Sequence, residues 1–502
     1  MADNRQTRAK KNILTSLTNQ LVVLLCGMVV PRLMIGAFGS EAYGAVSSIT
    51  QFLAYVTLLE GGVGGVARAV LYKPLAKKDM AAISAIMAEI RRYFRIIGWI
   101  FMGYVLVLGC SFSTISRVEC MDWITTFLLV IVISISSLGQ YFIGISNAIL
   151  LQAAQKTYVT NLTSLVTVVL NALSTVVLIL LDCSMITVKL VSSCIFFLRP
   201  VVLWWYVRRY YPLEQSHWEQ GKTWLTQKWT GLGQHIAYFL HSNTDIAVLT
   251  LLADLKTVAV YAVYNMIVSH LQSLTVSFSS GMESVFGDML ARKEEQQLKS
   301  AFRTYETILS LLSLVLFSAA AVLILPFLRI YTAGITDTDY LRPVFGLLLV
   351  LTAMSYCLRL PYHALVMAAG HFRQTGAAAY GEAVLNIGLS LLLVSRFTLV
   401  GVAAATLAAT WFRFLYYVVY LSGNILCRTV TVFLKRFAVN AAVFVCNCLA
   451  GGFLVSVMDT GNYLSWALCG TVLVALFGVI TLGFNLIFFP DDCRCCLRKL
   501  LK

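Results

Sequence analysis

Only 12% of the 502 residues carry charge, while 59% are hydrophobic. A soluble domain ordinarily has about 25% charged residues, so this chain lacks the polar surface that water demands. Strand-length alternation of apolar and polar residues is also missing, which excludes a membrane β-barrel. The thirteen cysteines form no disulfide framework; most lie in apolar blocks, where cysteine acts as a small hydrophobe. Cys493, Cys495 and Cys496 crowd the C-terminal end without a second ligand pair for zinc. There is no phosphate-binding loop and no metal pair of the HExxH kind, and the longest loops run to about 22 residues. These absences argue against an enzyme and against a resident cofactor or metal.

What the chain does contain is a succession of long apolar blocks. A helix needs ~20 mostly apolar residues to cross ~30 Å of hydrocarbon. Fourteen spans are predicted, near 13–37, 43–71, 93–112, 123–148, 158–181, 186–206, 231–253, 258–289, 304–330, 341–369, 377–395, 398–421, 434–456 and 463–488. The basic segment Met1 to Lys11 runs into its apolar block without a small-residue cleavage site, so it reads as a retained first helix.

The net charge of +15 records orientation. Alternate loops are basic and hold 27 of the 38 Lys and Arg residues, including Lys73, Lys77, Lys78, Arg208, Arg209, Arg292, Lys293 and the tail from Arg494 to Lys502. The opposite loops carry Glu41, Glu119, Asp122, Asp182, Asp337, Asp339 and Asp459. Basic loops stay in the cytoplasm, so both termini are predicted there, and no nucleic acid partner is needed. The longest basic loop, 208–229, is rich in tryptophan (Trp218, Trp224 and Trp229), which suits an interfacial helix.

That loop divides the chain after six spans, and the next six resemble the first. Val169-Leu170-Asn171-Ala172 matches Val384-Leu385-Asn386-Ile387 at an offset of 215, and Ala153-Ala154-Gln155 matches Ala368-Ala369-Gly370 at the same offset. Arg199 and Arg413 fall at an offset of 214, each late in the sixth span of its half. An even number of spans makes the repeat parallel. The predicted fold is therefore an all-α membrane protein with two parallel six-helix lobes around a central cavity, plus two additional C-terminal helices. Its parts are 1–207, the linker 208–229, 230–422, and 423–502 with the basic tail.

Three segments carry a family resemblance. They are Asn12-Ile13-Leu14 through Pro31-Arg32-Leu33, the turn Phe38-Gly39-Ser40-Glu41-Ala42-Tyr43-Gly44, and Leu58-Leu59-Glu60-Gly61-Gly62-Val63-Gly64. Together with Val258 to Tyr264 they resemble Wzx-type polysaccharide flippases of the multidrug/oligosaccharidyl-lipid/polysaccharide (MOP) exporter superfamily. The resemblance implies an oligosaccharide joined by a diphosphate to a polyprenol, moved to the outer leaflet of a bacterial cytoplasmic membrane for surface polysaccharide. A cation-coupled drug antiporter of the same superfamily is one alternative. A membrane-embedded glycan polymerase or glycosyltransferase is another, although such enzymes usually need a sizeable loop.

Charges inside the spans are costly, ~2.5–3.5 kcal/mol at the bilayer centre, and so mark candidate sites. Arg32 follows Pro31, where a kink is expected. Arg359 precedes Pro361 by two residues, and Arg68 lies near an inner end. Arginine offers a planar fork to phosphate, so Arg32 and Arg359, with Arg68, are the candidates for the cargo diphosphate. Glu60, Glu283 and Glu382, with His241 and Asp245 one helical turn apart, are candidates for charge balance or for a coupling proton or sodium ion. The related peptidoglycan-precursor flippases also place a cation in helix 8. Here there is no Lys or Arg between Lys256 and Arg292, and Arg359 is the expected substitute. Arg68, Arg199 and Arg413 also fit a simpler role, snorkelling to headgroups from the helix ends.

Overall fold

The computed structural model describes residues 2–61, 63–116, 118, 120–213, 232–279 and 281–493, excepting the side chains of 2–10, 13, 232–238, 241, 242 and 278. The described residues form helices and no strand. In order these are α1 (Ala2–Ala54), a 3₁₀ turn (Tyr55–Glu60), α2 (Val63–Lys77), α3 (Met80–Ser116), α4 (Trp123–Gly139), a π turn (Gln140–Gly144), α5 (Ile145–Ala153), α6 (Thr157–Leu180) and α7 (Met185–Tyr210). There follow α8 (Leu232–Leu252), α9 (Leu255–Ser279), α10 (Met282–Ala291), α11 (Glu295–Tyr331), α12 (Pro343–Ala368), α13 (Phe372–Asn424), α14 (Val430–Val457) and α15 (Tyr463–Phe488).

Among the described residues, ten segments are long and apolar enough to cross a membrane. Two of them bend and so supply two passes each. In α1 the bend is at Gly39 (φ 84°, ψ 166°), a conformation essentially reserved for glycine. In α13 it is at Thr398 (φ 42°, ψ −116°). With α8 and α9 these account for the fourteen predicted passes. The second and eighth passes are each broken, at Gly61 (φ 57°) and Gly281 (φ 96°).

The chain packs into two compact units, Met1–Phe239 with Asp254–Ala259, and Leu240–Ala253 with Val260–Lys502. The division runs through α8 and α9 rather than through the linker. Close packing explains the excursion: a Cβ on Gly44 would lie 1.8 Å from the carbonyl oxygen of Leu255, and Phe239 sets its ring 5.3 Å from that of Tyr55. Most of the tryptophan-rich linker, residues 214–231, lies outside the described residues, as does the tail 494–502.

The repeat is written in the backbone as well as in the side chains. α3 and α11 are each 37 residues long and begin and end 215 residues apart. Residues with left-handed φ recur at the same offset, Lys78 (57°) with Lys293 (59°) and Gln155 (58°) with Gly370 (68°). At 1.5 Å per residue each 37-residue helix is ~55 Å long, well beyond the ~30 Å hydrocarbon layer. Their first turns, absent from the predicted spans, therefore stand outside it at the basic end.

Within the first unit α3 buries one face along most of its length. Ile83, Met87, Ile90, Phe94, Phe101, Val105, Leu108 and Phe112 form a buried stripe at helical spacing. Outward faces carry large exposed apolar side chains, among them Leu173, Leu392, Leu449 and Phe453, as lipid-facing surfaces do. Lipid tails are as apolar as these residues, so close packing and internal hydrogen bonds hold the bundle, with little hydrophobic drive between helices.

In the second unit α14 and α15 dock on α11. Phe477, Leu473 and Cys469 pack on Ala319 and Leu323. Asn447 donates to Ser318 Oγ (3.3 Å) and Thr481 Oγ1 (3.2 Å), and Trp466 donates to the Leu323 carbonyl (3.2 Å).

Candidate functional site

Three polar clusters lie inside the second unit. The first joins α12 and α13. Arg359 meets Glu382 Oε1 at 2.5 Å and Arg413 meets Glu382 Oε2 at 2.7 Å. Glu382 is 0% exposed, Arg413 3% and Arg359 4%. Arg359 also lies over the Tyr356 ring, and Arg413 donates to Tyr417 Oη (2.9 Å). From sequence, Arg359 is expected against the cargo and Glu382 as its balance. In the structure the two are one sealed ion pair, shared with Arg413. Arg413 does not snorkel from a helix end; it faces inward, because α13 packs that side on α12.

The second cluster surrounds Asp245 on α8. Tyr261 Oη donates to Oδ2 (2.8 Å), and Thr406 Oγ1 lies 3.0 Å from both carboxylate oxygens. Thr406 Oγ1 is also 3.2 Å from Asn386 Oδ1 and 3.0 Å from the Val402 carbonyl, while Ser390 Oγ lies 3.1 Å from Asn386 Oδ1. One hydroxyl hydrogen on Thr406 cannot serve four acceptors. Tyr261, Thr406 and Asn386 hydrogen-bond the carboxylate, and the hydroxyl and amide oxygens gathered beside it are ligands of the kind a hard cation takes. The side chain of His241, expected beside Asp245, lies outside the described residues.

The third cluster sits at the basic end. Glu306 on α11 accepts from Arg428 at 3.0 Å on each oxygen and from Tyr362, and forms an ion pair with Arg436 Nη1 at 3.3 Å. Arg436 continues to Asp492 (2.6 Å), and Asp492 to Arg303 (3.0 Å). Burial alone would lower the Arg428 guanidinium; hydrogen bonding and attraction from Glu306 and Tyr362 hold it above its ordinary value. A cavity of about 440 Å³ opens beside this ladder, lined by Arg303, Arg428, Asp491 and Asp492. Nothing in the sequence singles out Glu306, which stands just inside the predicted edge of its span.

Arg32 is partly buried, its Nη1 alongside Gly36 on its own helix. Arg68 donates to Gln152 Oε1 (2.6 Å), and Glu60 accepts from Tyr141 Oη (2.7 Å). Arg199 donates to Ser164 Oγ (3.0 Å) and Thr167 Oγ1 (3.2 Å). Glu283, at the start of α10, is exposed. Among the described residues no three His, Cys, Asp or Glu side chains converge on a metal-sized site.

Residues 232–392 match the MatE family model. The chain also aligns over 95% of its length with 99% of the "Lipid II flippase MurJ, inward closed conformation", at a TM-score of 0.70 and 15% identity. The chain has the MOP exporter fold. The same fold aligns with 97% of a structure of the MATE multidrug transporter DinF-BH over 84% of this chain, at a TM-score of 0.61 and 16% identity. An inward-facing MATE family transporter of the MOP superfamily is similar over 82% of this chain and 98% of its own, at a TM-score of 0.58 and 13% identity. No curated protein sequence matches the chain. Within this multi-pass MOP fold, the MatE segment spans the helices that carry Asp245, Glu306, Arg359, Glu382 and Asn386.

Proposed function

We propose that the protein carries a polyprenyl-diphosphate-linked oligosaccharide from the inner to the outer leaflet of a bacterial cytoplasmic membrane by alternating access, with both termini in the cytoplasm. One observation carries the choice of cargo. Within the six spans predicted for the first half Glu60 is the one carboxylate, set against basic residues that include Arg32, Arg68 and Arg199. Such an interior attracts an anion and disfavours a cationic drug. The name of the MurJ structure, a lipid II flippase, supports a lipid-borne cargo. Arg359 is not part of this proposal as a phosphate ligand, since its guanidinium already serves Glu382.

The Asp245 nest supplies the coupling step. A sodium ion or proton bound among Asp245, Asn386, Ser390 and Thr406 neutralises the carboxylate, and its release toward the other face returns the charge. The same carboxylate, held by neutral donors, favours a second reading as a cation-coupled drug antiporter.

Reconstituted protein distinguishes the two. Proteoliposomes carrying a fluorescent polyprenyl-diphosphate disaccharide, probed from outside with a lectin, are expected to expose the sugar only when protein is present. Arg32→Ala should slow that exposure, and Asp245→Asn should remove its dependence on a sodium or proton gradient. Transport of a cationic dye with no movement of the lipid would replace the flippase with the antiporter.

A further inference from the structure

The repeat shows where the two units differ. In the second unit Arg413 on the twelfth pass reaches back to Glu382 on the eleventh. In the first unit Arg199 occupies the place of Arg413 at an offset of 214, and Thr167 occupies the place of Glu382 at an offset of 215. The contact is retained, since Arg199 Nη2 donates to Thr167 Oγ1 at 3.2 Å, but the carboxylate is gone. The partner that sandwiches Glu382 from the other side is gone as well, because Gly144 stands where Arg359 would be. An arginine paired with a carboxylate in one unit is a cation without one in the other.

The surroundings of Arg199 are consistent with that. Its hydrogen-bond partners among the described residues are the hydroxyls of Ser164 and Thr167; its guanidinium lies over the Phe196 ring, and its buried Nε has no hydrogen-bond partner. Further along the same face of α6 lie Asn171, with an unpartnered Oδ1, and Thr175. The residue stands inside its span. Asn12 ties the start of α1 to the start of α6 at Gln155 and Tyr158, and Ser164 and Thr167 are ~10–14 Å further along α6. A cation at that depth, flanked by hydroxyls and with a free N–H, calls for an anion from elsewhere, and the planar fork of arginine matches phosphate oxygens.

We infer that Arg199, with Ser164 and Thr167, binds a phosphate group of a lipid cargo in the first unit. The inference rests on the flippase reading and adds a ligand that reading does not name. It also explains why a span that tolerates Glu at position 382 has Thr at position 167: a carboxylate there would occupy the fork.

The test restores what the repeat has lost. Purified protein in detergent is titrated with radiolabelled geranylgeranyl diphosphate, and Thr167→Glu, Arg199→Gln and Arg199→Lys are compared with wild type. Thr167→Glu should fold at least as well as wild type, because the second unit accommodates the same pair. It should bind the probe at least about tenfold more weakly, as should Arg199→Gln, with Arg199→Lys between. Should Arg199→Gln not fold, Thr167→Glu alone still decides. Wild-type binding with unchanged affinity in folded Thr167→Glu would overturn the role of Arg199 and leave the flippase reading standing. No binding by wild type would overturn both. Displacement of the probe by phosphatidylglycerol at equal concentration would make the site a headgroup anchor and overturn its assignment to cargo.

Discussion

Replacing Glu382 by Gln keeps the shape of the side chain and removes its charge. The buried triad then holds two guanidiniums beside a neutral amide. Breaking a buried ion pair by deleting one partner costs about 3–5 kcal/mol, a large share of the ~5–15 kcal/mol that holds a domain folded. For a unit of this size ~1 kcal/mol moves the melting point by about 2–4 °C, so Glu382→Gln should lower it by roughly 6–20 °C. Arg359→Met is the informative contrast. It leaves Glu382 paired with Arg413 at 2.7 Å and replaces the lost stem with apolar volume, so its cost should stay near ~1 kcal/mol. The double variant Arg359→Met/Glu382→Gln retains one unpaired arginine instead of two and should fall between them. Thermal unfolding of purified protein, followed by tryptophan fluorescence, gives the order. If Arg359→Met is as unstable as Glu382→Gln, or if neither moves, charge neutralisation is not what makes the triad stable.

Gly44→Ala places a methyl 1.8 Å from the Leu255 carbonyl oxygen; backbone must shift, and a loss of about 1–3 kcal/mol or more is expected in the same unfolding assay. Glu306→Gln should release the loop around Arg428 and make that bond cleavable by trypsin, whereas Asp492→Asn, which pairs with Arg436 and Arg303 and not with Arg428, should have a smaller effect; equal resistance in both would refute the hold of Glu306 on this loop. Partial burial and the Glu41 carboxylate push the Cys120 thiol up to about 11 from its ordinary 9.0. At pH 8 its alkylation should run roughly a hundredfold slower than that of an ordinary thiol, its rate should keep rising with pH towards 11, and Glu41→Gln should shift the profile downward. A profile already flat by pH 9 would contradict this.

The passes are legible in the sequence because each apolar run is bounded by charge or glycine, and Gly39 shows its break in the residue type. Thr398 does not, yet its bend falls at the first residue of the predicted span 398–421, where the apolar pattern restarts. The sites are less legible, for a geometric reason. Asp245 and Thr406 are 161 residues apart, and Arg359 and Glu382 lie on different helices. A single sequence marks each as a costly charge or polar group but does not say which are neighbours. Arg413 reads wrongly from sequence because its depth along the helix is visible there and the face it occupies is not. Glu306 escapes notice because a carboxylate near the edge of a span resembles an ordinary helix end until Arg428 and Arg436 are brought to it from over a hundred residues away. Asn386 is visible through its repeat partner Asn171, and that signal is the more informative one.

The ladder from Arg428 through Glu306 and Arg436 to Asp492 bears on how far this chain can be shortened. Both neutralising arginines of Glu306 come from the last stretch of sequence, beyond residue 424, while Glu306 belongs to the preceding helices. A fragment trimmed to twelve passes would keep the acid and lose both bases, leaving Tyr362 as its bonded partner among these residues. The final two helices are thus counter-ions as much as added span. A viable shorter version would need a neutral residue at position 306 before the cut was made.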